Sequence, residues 1–493
     1  MSRRFGLAVI ALVLGGCAVG PNYHAAPVVP PTARVGMAPL PDSTRAFFDS
    51  LATARAADTT QAALVRVPAP RALAAPALAD LKWLDVLHDS LLVDLVNRAL
   101  ARNRNLGAAR ARIAEYRANV GAARSALFPG LAVNGSVSRA QSVFGSQTIP
   151  AYSAWRATAD LSWELDFWGL ARRGLEAVNA DLASQQAAER ATTLTLVSDV
   201  ATGYLSLLEL DQEAAIAAQT LASRQSTLDL ARQRLAQGVI SELDVRQFEA
   251  QVAVPAARLA QVEQLRAQEE HALNTLVGEG PVSVRRGVSL AQAAGAVTVP
   301  DSVPSSLVDR RPDVEAAERA YAAATARAGV AAAARLPSVS IGASYGTQAT
   351  TPGDMFSSKD EVYQVVAGIS IPIFTGGRLG SQERAARARA EEARAAYEEV
   401  TLTALEEVGD ALAGVRSARD QLTAQETQAT ALRQALDLAE VRYQGGVSNY
   451  LEVLDAERGL FTAQLAESEA ELQELDAAVE LYKALGGSWP ESH

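Results

Sequence analysis

Two segments of the chain alternate between apolar and polar residues, and each is long enough to form a strand. In residues 155–167 every second residue is apolar and the intervening residues are polar or charged. Residues 363–373 repeat this alternation with smaller side chains. A period of two is typical of a strand with one apolar face. With partner segments at 131–141 and 338–349, the chain is predicted to carry four strands, each near the ~9–11 residues that a tilted membrane strand needs.

Aromatic residues gather in the first pair of strands, as they do in the interfacial girdle of a membrane sheet. They are Tyr152, Trp155, Trp163, Phe167 and Trp168. A soluble sandwich with one solvated face would show the same alternation, and it is the alternative interpretation of these strands.

Long runs without proline follow each pair of strands. Residues 170–237 and 378–444 contain no proline, and a helix of that length would extend about 100 Å. Globular helices average about 11–12 residues, so these are not ordinary core helices. Each run stops at a glycine, and a second helical run returns after it. The returning runs are 241–277 and 449–485.

The second half of the chain repeats the first half at one constant offset. Gly238 matches Gly446 and Pro129 matches Pro337, and both pairs are 208 positions apart (446 − 238, 337 − 129). A constant register indicates one structural unit used twice, and such a unit cannot bury its apolar faces alone. Four strands cannot close into a barrel either. The pattern therefore predicts a closed oligomer, and three chains would supply 12 strands and six hairpins.

Composition and charge exclude several classes of function. The 493 residues carry a net charge of −11, which argues against a nucleic-acid partner. The four histidines are scattered, so neither a metal site nor a cofactor is expected. Residues 342–346 read Gly-Ala-Ser-Tyr-Gly, which matches the G-x-S-x-G nucleophile motif. That motif needs a helix directly after it, and here it lies inside an alternating strand, so no enzyme is expected.

The first residues have the pattern of a lipoprotein signal. A basic dipeptide and a short apolar stretch lead to Leu14-Gly15-Gly16-Cys17, and the stretch is too short to span a bilayer. Because the site resembles a bacterial lipobox, residues 1–16 are expected to be removed and Cys17 to carry lipid. Cys17 is the only cysteine, so no intrachain disulfide can form; a buried thiol is the alternative. By the same resemblance, Ala18 rather than Asp as the second mature residue indicates the outer membrane.

Several motifs resemble the outer-membrane factor family, the trimeric TolC-like exit ducts, and specifically its OprM/NodT-like lipoprotein branch. They are Gly20-Pro21-Asn22-Tyr23, Phe128-Pro129, Arg310-Arg311-Pro312-Asp313, Leu454-Asp455-Ala456 and Leu481-Tyr482-Lys483-Ala484-Leu485-Gly486-Gly487. The resemblance implies a homotrimer in the outer-membrane lipid of a Gram-negative bacterium, with a helical tube across the periplasm. It also implies docking to a periplasmic adaptor protein and an inner-membrane pump, as the passive duct of a tripartite efflux or export system.

The expected fold is mainly α with a membrane β-barrel, built from two repeats that assemble into a trimeric tube. The segments are a signal peptide (1–16), a lipidated tether and arm (17–80), a first repeat (81–278), a connector (279–305), a second repeat (306–486) and a tail (487–493). Within the repeats, strands are expected at 130–142, 152–167, 337–349 and 361–374, and helical hairpins at 170–277 and 378–485.

The resemblance also implies a periplasmic gate just after the second hairpin tip. The positions that match the family's closing rings are Leu451, Glu452 and Asp455. Glu452 and Asp455 are three residues apart and share one helix face. In a trimer they would place six carboxylates near the axis and concentrate cations, while Leu451 would add an apolar constriction. An ordinary solvated helix face is the alternative.

Further residues at the tips match family positions with a role in assembly. The expected adaptor-docking residues are Gly238, Val239, Gly446 and Val447, and the residues expected to link the tips are Asp244 and Tyr443. Simple glycine caps are the alternative for the docking residues. The family's arginine between hairpins is replaced by Ser448, so that link is not expected here.

A lipid-anchored periplasmic adaptor is the alternative function. It also has helical hairpins, but it would show one hairpin flanked by soluble β domains. Two hairpins at a fixed offset, each preceded by strands, favour the channel.

Overall fold

The computed structural model describes residues 18–24, 28, 34–36, 50, 89–145, 147–293, 302–355, 357–448 and 450–487. The signal residues and Cys17 lie outside the described residues. The strands are β1 Arg34–Gly36, β2 Gly130–Phe144, β3 Gln147–Leu165, β4 Ser302–Pro304, β5 Ser338–Ala349 and β6 Glu361–Ser370. The α-helices are α1 Ser90–Arg102, α2 Arg104–Ser125, α3 Leu170–Ala236, α4 Glu242–Val277, α5 Leu290–Ala293, α6 Pro312–Ala333, α7 Arg378–Gln444 and α8 Tyr450–Ala484.

The chain divides into two compact units, and each unit takes segments from both repeats. Unit 1 contains residues 110–188 and 315–400 together with the N-terminal residues to 26. Unit 2 contains residues 27–109, 189–314 and 401–493. The repeats therefore do not fold as successive domains, because matching parts of the two copies associate with each other.

Unit 1 contains a four-stranded antiparallel sheet in the order β2-β3-β5-β6. The first repeat supplies β2 and β3 and the second supplies β5 and β6, and the two copies join where Trp163 lies opposite Ile341. Among the described strands, β2 and β6 form the two edges of this sheet. Many of its large apolar side chains, such as Val133, Tyr363 and Val365, are exposed.

Two strand ends differ from the expected ones by four residues or more, and both for local reasons. The strand expected at 361–374 ends at Ser370, because Pro372 has no N–H to donate to a neighbouring strand. The strand expected at 152–167 begins earlier, at Gln147, which pairs with Phe144. Gly145 has a φ of 62°, a left-handed conformation that allows the tight turn between β2 and β3.

The Gly20-Pro21-Asn22-Tyr23 motif and the residues before it are held against the helices of unit 1. The Val19 amide donates to the Trp168 carbonyl (3.0 Å), and Arg173 donates to the Asn22 side chain. The Tyr23 hydroxyl donates to Glu318 of α6 (2.7 Å), and the Tyr23 ring packs edge-on against the ring of Tyr321, also on α6. Residues 19–23 are thus held by hydrogen bonds to the start of α3 and to α6.

Four long helices make up most of the two hairpins. The outgoing helices α3 and α7 have 67 residues each, and the returning helices α4 and α8 have 36 and 35. Among the described residues, no helix combines the length and the apolar content needed to cross a membrane. Gly203 lets α3 and α4 approach closely, since a Cβ there would lie 2.9 Å from the Leu273 side chain.

Within the described residues, a large apolar core lies in unit 2, where α1, α3, α4 and α8 meet. Tyr204 is fully buried in it, and its hydroxyl donates to Asp89 (2.7 Å) and accepts from the Gly287 amide (2.8 Å). The Asp89 carboxylate also caps α1 by accepting the Leu91 amide. One buried carboxylate therefore joins a helix start, the middle of α3 and the segment after α4.

The Arg-Arg-Pro-Asp motif has a structural role at the start of α6. Pro312 occupies the first helical position, where its missing N–H costs nothing. The buried guanidinium of Arg311 donates to Asp313, to Glu407 and to the Ala484 carbonyl (3.0 Å). It therefore ties α6 to α7 and to the end of α8 by charge-assisted hydrogen bonds.

Carboxylates are buried between α3 and α8. Glu209 is 7% exposed and accepts a hydrogen bond from Ser468 (3.3 Å). Burial raises the pKa of Glu209 to about 7, and the charge of Glu213 adds to the rise. Glu213 is also buried but pairs with Arg258 at 2.6 Å.

We predict that Glu209→Gln stabilises the protein at pH 8 but not at pH 4.5. The folded-state pKa lies above the unfolded value, so folding costs free energy once the unfolded carboxylate ionises, and the full cost applies above pH 7. Removing it should gain up to about 3 kcal/mol at pH 8, since the pKa rises from 4.5 to about 7 and one pKa unit corresponds to about 1.4 kcal/mol. Thermal unfolding at both pH values measures this. Glu213→Gln is the control, and it should destabilise the protein at pH 8 because it leaves Arg258 without its ion-pair partner. If the stabilities of Glu209→Gln and wild type change in parallel with pH, the prediction is wrong.

Candidate functional site: the hairpin tips

Both hairpin tips end their outgoing helix with the same cap. Gly238 and Gly446 have φ values of 72° and 68°, which glycine adopts without strain. The amide after each glycine bonds back five residues, from Val239 to the Arg234 carbonyl and from Val447 to the Arg442 carbonyl, both at 2.9 Å. With the glycine's own bond three residues back, this is a Schellman motif. It presents Val239 and Val447 to solvent, 67% and 72% exposed.

Asp244 caps the returning helix α4 at the first tip. Its carboxylate accepts the Ser241 amide (2.8 Å), while the Ser241 hydroxyl accepts the Asp244 amide (3.3 Å), which makes a capping box. The hydrogen bonds from the amide and hydroxyl of Ser241 lower the pKa of Asp244. Within one chain, the hydrogen bonds of the Asp244 side chain go to Ser241 of the same helix start and not to Tyr443.

Tyr443 links the two tips by a hydrogen bond with Arg234, a residue that the sequence analysis did not single out. Arg234, at the end of α3, donates to the Tyr443 hydroxyl, and its guanidinium lies 5.7 Å from the centre of the Tyr443 ring. Tyr443 packs edge-on against Tyr450, whose ring lies 4.5 Å from that of Phe248. This aromatic cluster closes the space between the first and second hairpins at their tips.

A small cavity of about 280 Å³ lies beside the aromatic cluster, which we call the tip cavity. Its lining is mostly apolar and comes from both hairpins, with Thr227, Leu230, Ala231, Arg234, Ile240, Asp244, Gln247 and Phe248 from the first hairpin and Tyr443, Tyr450, Leu451 and Leu454 from the second. The candidate gate residue Leu451 thus lies at the contact between the two hairpins, where it is half exposed.

Glu452 and Asp455 lie on a different face of α8, in a groove of about 770 Å³ between α7 and α8 that we call the acidic groove. Glu452 pairs with Arg442 at 3.4 Å and Asp455 with Arg458 at 2.8 Å, and all four side chains are largely exposed. The structure therefore brings the two carboxylates together, as their spacing predicts, and separates them from Leu451.

Arg224 is a second tip residue that pattern reasoning missed. It is 3% exposed, donates to the Gln251 carbonyl (2.9 Å) and lies 5.4 Å from the centre of the Phe461 ring. Burial lowers its pKa, and the charge of Glu457 opposes that change. The repeat contained a signal for it, since the matching position is the apolar Leu432. Where one repeat has a charged residue and the other has an apolar residue at the matching position, the two side chains are expected to contact different residues.

Within the described residues, no group of three or more His, Cys, Asp or Glu side chains is arranged to hold a metal ion. The site therefore consists of charged and aromatic contacts between helices, with an exposed apolar residue at each tip.

Comparison with known proteins agrees with the repeat. The family model described as "Outer membrane efflux protein" matches residues 95–279 and 303–487, two spans offset by the same 208 positions (303 − 95, 487 − 279). The antibiotic efflux pump outer membrane protein ArpC of Pseudomonas putida is 34% identical, over 98% of this chain and 95% of its own length. The outer-membrane channel OprN has a TM-score of 0.81 at 27% identity, covering 96% of this chain and 99% of that one. The open state of the MtrE outer membrane channel of Neisseria gonorrhoeae has a TM-score of 0.80 at 28% identity, covering 96% and 98%.

We predict that Tyr443→Phe loosens the start of α8 while leaving the rest of the fold unchanged. The variant keeps the ring contacts and loses only the hydrogen bond from Arg234, which is worth about 1 kcal/mol at a half-buried site. Amide hydrogen exchange of residues 450–456 should become about fivefold faster. Tyr345→Phe, which removes a hydroxyl from an exposed strand position, should leave tip exchange unchanged. Equal tip exchange in wild type and Tyr443→Phe would show that Arg234 does not hold the tips together.

Proposed function

The chain belongs to the outer membrane efflux protein family and is the outer-membrane channel subunit of an efflux system, and we propose that it works as a homotrimer gated at its hairpin tips. The observation that carries the function is the family match over both repeats, at the offset that the sequence itself shows. The lipid-anchored adaptor considered as an alternative finds no support, because the relatives and solved neighbours are channels over nearly the full chain.

The trimer is supported by the edges and faces of the sheet. The strands β2 and β6 each have one neighbour in the described chain, and such edges are closed by pairing or cover in stable proteins. In a trimer, β6 of one subunit would pair with β2 of the next, and three copies would close 12 strands into a barrel. The exposed apolar side chains of the sheet would then face lipid.

The partners we propose are a periplasmic adaptor protein and an inner-membrane pump. The relative ArpC is by its name a pump component, and a duct in the outer membrane needs a supply of cargo from within. Val239 and Val447 are the proposed adaptor-docking residues, with Gly238 and Gly446 shaping the exposed turn. Exposed apolar residues on a rigid capped turn are suited to contact with a partner protein.

We also propose that Cys17 carries lipid. The support is the lipobox in the sequence, together with the hydrogen bonds that hold the nearby residues 19–23 within unit 1. Acyl chains on Cys17 would enter the outer membrane and add about 0.8 kcal/mol of affinity per buried CH₂.

We predict that Cys17→Ser removes the lipid but keeps a detergent-dependent trimer. Labelling with a fatty-acid analogue should be lost, while extraction should still need detergent, because the barrel rather than the lipid holds the protein in the membrane. Light scattering in detergent should give three chains per particle for both proteins. Release of the variant into buffer without detergent, or a monomeric particle, would contradict the proposed assembly.

The proposed gate consists of Leu451, Glu452 and Asp455. Three copies would place six carboxylates at one end of the duct. Two carboxylates 4 Å apart repel by about 1 kcal/mol in bulk water, and by more where water is excluded. Such a ring attracts cations, while Leu451, at the contact between hairpins, limits how far the tips separate. The contact of Tyr443 with Arg234 is the proposed tip link; Asp244 takes part by capping the first returning helix.

We predict opposite effects for the charged and the apolar gate residues. Glu452→Gln combined with Asp455→Asn should lower cation preference and weaken block by multivalent cations in planar-bilayer recordings, because the ring loses its charge without changing size. Leu451→Ala should raise conductance and leave ion preference nearly unchanged. A carboxylate variant that selects and conducts like wild type would remove Glu452 and Asp455 from the ion path.

A further inference from the structure

The four-stranded sheet of unit 1 has an apolar face and a polar face, and the charges of the polar face are confined to one strand. The register places Asp160 opposite Ser344, and Ser344 opposite Gln364, on the polar face. Leu161, one residue further on, lies opposite Ala343 and belongs to the apolar face. Among the described strands, the charged residues of the polar face all lie on β3 at intervals of four positions, and they are Arg156, Asp160 and Glu164.

The second repeat lacks these charges. The residues that match them at the 208 offset are Gln364, Gly368 and Pro372, none of which carries a charge. The strand β6 nevertheless pairs with β5 over its whole length. Strand pairing in this sheet therefore does not depend on charges on the polar face, and their presence on β3 alone points to a role other than folding.

The three charges have no ion-pair partner in the part of the chain that the structure describes. Asp160 accepts hydrogen bonds from Asn134 (2.7 Å) and Thr158 (3.0 Å), which hold its carboxylate in place without neutralising it. Arg156 and Glu164 are exposed and form neither an ion pair nor a side-chain hydrogen bond with another described residue. A charge in a membrane strand is tolerated where it faces water rather than lipid. In the proposed barrel, the polar face therefore lines the water-filled interior.

Two tryptophans of the apolar face indicate the height of the charges in the membrane. Trp155 directly precedes Arg156, and Trp163 directly precedes Glu164. The tryptophans are eight positions apart (163 − 155), about 26 Å along a strand, which suits the two aromatic girdles of a tilted membrane sheet. Because β3 is followed by α3, Glu164 would lie at the periplasmic boundary of the proposed barrel, Arg156 at the outer boundary and Asp160 between them.

We propose that, in the trimer on which the proposed function rests, Glu164, Asp160 and Arg156 form three charged rings inside the barrel that sort solutes by charge. Each ring has three copies of one residue. The two acidic rings concentrate solutes with a positive group, such as protonated amines, in the periplasmic half of the barrel. The basic ring concentrates anions and repels cations near the outer end.

The range of these rings depends on the ionic strength. A fixed charge acts over about 10 Å at 0.1 M salt and over about 3 Å at 1 M salt. Three like charges at one height therefore influence much of the barrel cross-section in dilute salt, and only the water next to the wall in concentrated salt. Sorting by charge should be strong in dilute salt and weak in concentrated salt.

A cysteine between the two acids measures the local charge. Ser162 lies on the polar face, two positions from both Asp160 and Glu164. In trimers reconstituted in lipid nanodiscs, Ser162→Cys should react faster with a trimethylammonium methanethiosulfonate than with a sulfonate one, after each rate is divided by that of a free thiol. A local potential of one kT gives about a sevenfold ratio, and 1 M salt should remove most of it. Ala154→Cys, two positions beyond Arg156, should show the opposite preference.

Variants without charge identify the residues responsible. Asp160→Asn combined with Glu164→Gln should bring the normalised ratio at Ser162→Cys close to one, and Arg156→Gln should do the same at Ala154→Cys. Light scattering confirms that each variant remains a trimer. A preference at Ser162→Cys that survives the loss of both carboxylates would overturn the proposed rings.

Two controls use charges and thiols that lie elsewhere. Glu361→Gln removes a carboxylate from the apolar face of the same sheet, where Glu361 lies opposite Thr347, and should leave the ratio at Ser162→Cys unchanged. An effect equal to that of the Asp160 and Glu164 changes would contradict the assignment. The native Cys17 is present in every protein, so its reaction is measured in the parent chain and subtracted.

A cysteine on the apolar face distinguishes failure of this inference from failure of the proposed function. Val365 lies opposite Ala343, and Ala343 opposite Leu161, so Val365 is level with Ser162 but on the other face. In the barrel it faces lipid, and Val365→Cys should react with neither reagent. If it reacts as fast as Ser162→Cys, the sheet does not form a membrane barrel and the proposed assembly is wrong. If Val365→Cys is protected but Ser162→Cys shows no charge preference, the barrel stands and the charged rings are wrong.

Discussion

Neither long hairpin can bury its apolar residues alone, and the rest of the structure depends on this constraint. A pair of helices this long has no interior of its own, so each hairpin must pack on another one. Within the described chain the solution is the contact of α3 with α8, where Leu205, Leu207, Leu475 and Val479 are buried in one core. The proposed trimer would meet the same requirement on the outer side of each hairpin.

The two repeats share the backbone structure of their tips but differ in the residues that their side chains contact. Both outgoing helices end in the same glycine cap, because a sharp reversal needs one residue in the left-handed region. The contact surfaces around the caps have diverged. Inside the chain, Tyr443 and Tyr450 form an aromatic and mostly apolar contact. Around the second tip, by contrast, the carboxylates of Glu452 and Asp455 line an open groove between α7 and α8.

Buried polar groups fix the positions of helices that apolar packing alone would allow to slide. Arg311 bonds to two acids and a carbonyl, and so holds α6, α7 and the end of α8 in one register. Asp89 does the same for α1 and α3 through Tyr204. Apolar stripes of Ala and Leu tolerate small shifts along the helix axis, whereas a hydrogen bond to a charged group is lost within about 1 Å. Movement at the tips is therefore compatible with a fixed centre in unit 2.

The sequence by itself determined the repeat and its offset, the strands, the long helices and their ends, since period, glycine and proline act through local backbone chemistry. It also determined that Glu452 and Asp455 share one helix face. Only the tertiary structure decided that Arg234 binds Tyr443, that Asp244 caps its own helix, that Arg224 is buried, and that β1 pairs with β4. The contacts between elements depend on how far each helix is rotated and shifted against its neighbour. That neighbour can be far away in the sequence: Arg234 and Tyr443 are 209 residues apart. The pattern of residues along the chain shows which side chains share a face of a helix or strand. It does not show how that element is rotated against a distant neighbour, and this rotation decides which partners a charged side chain meets.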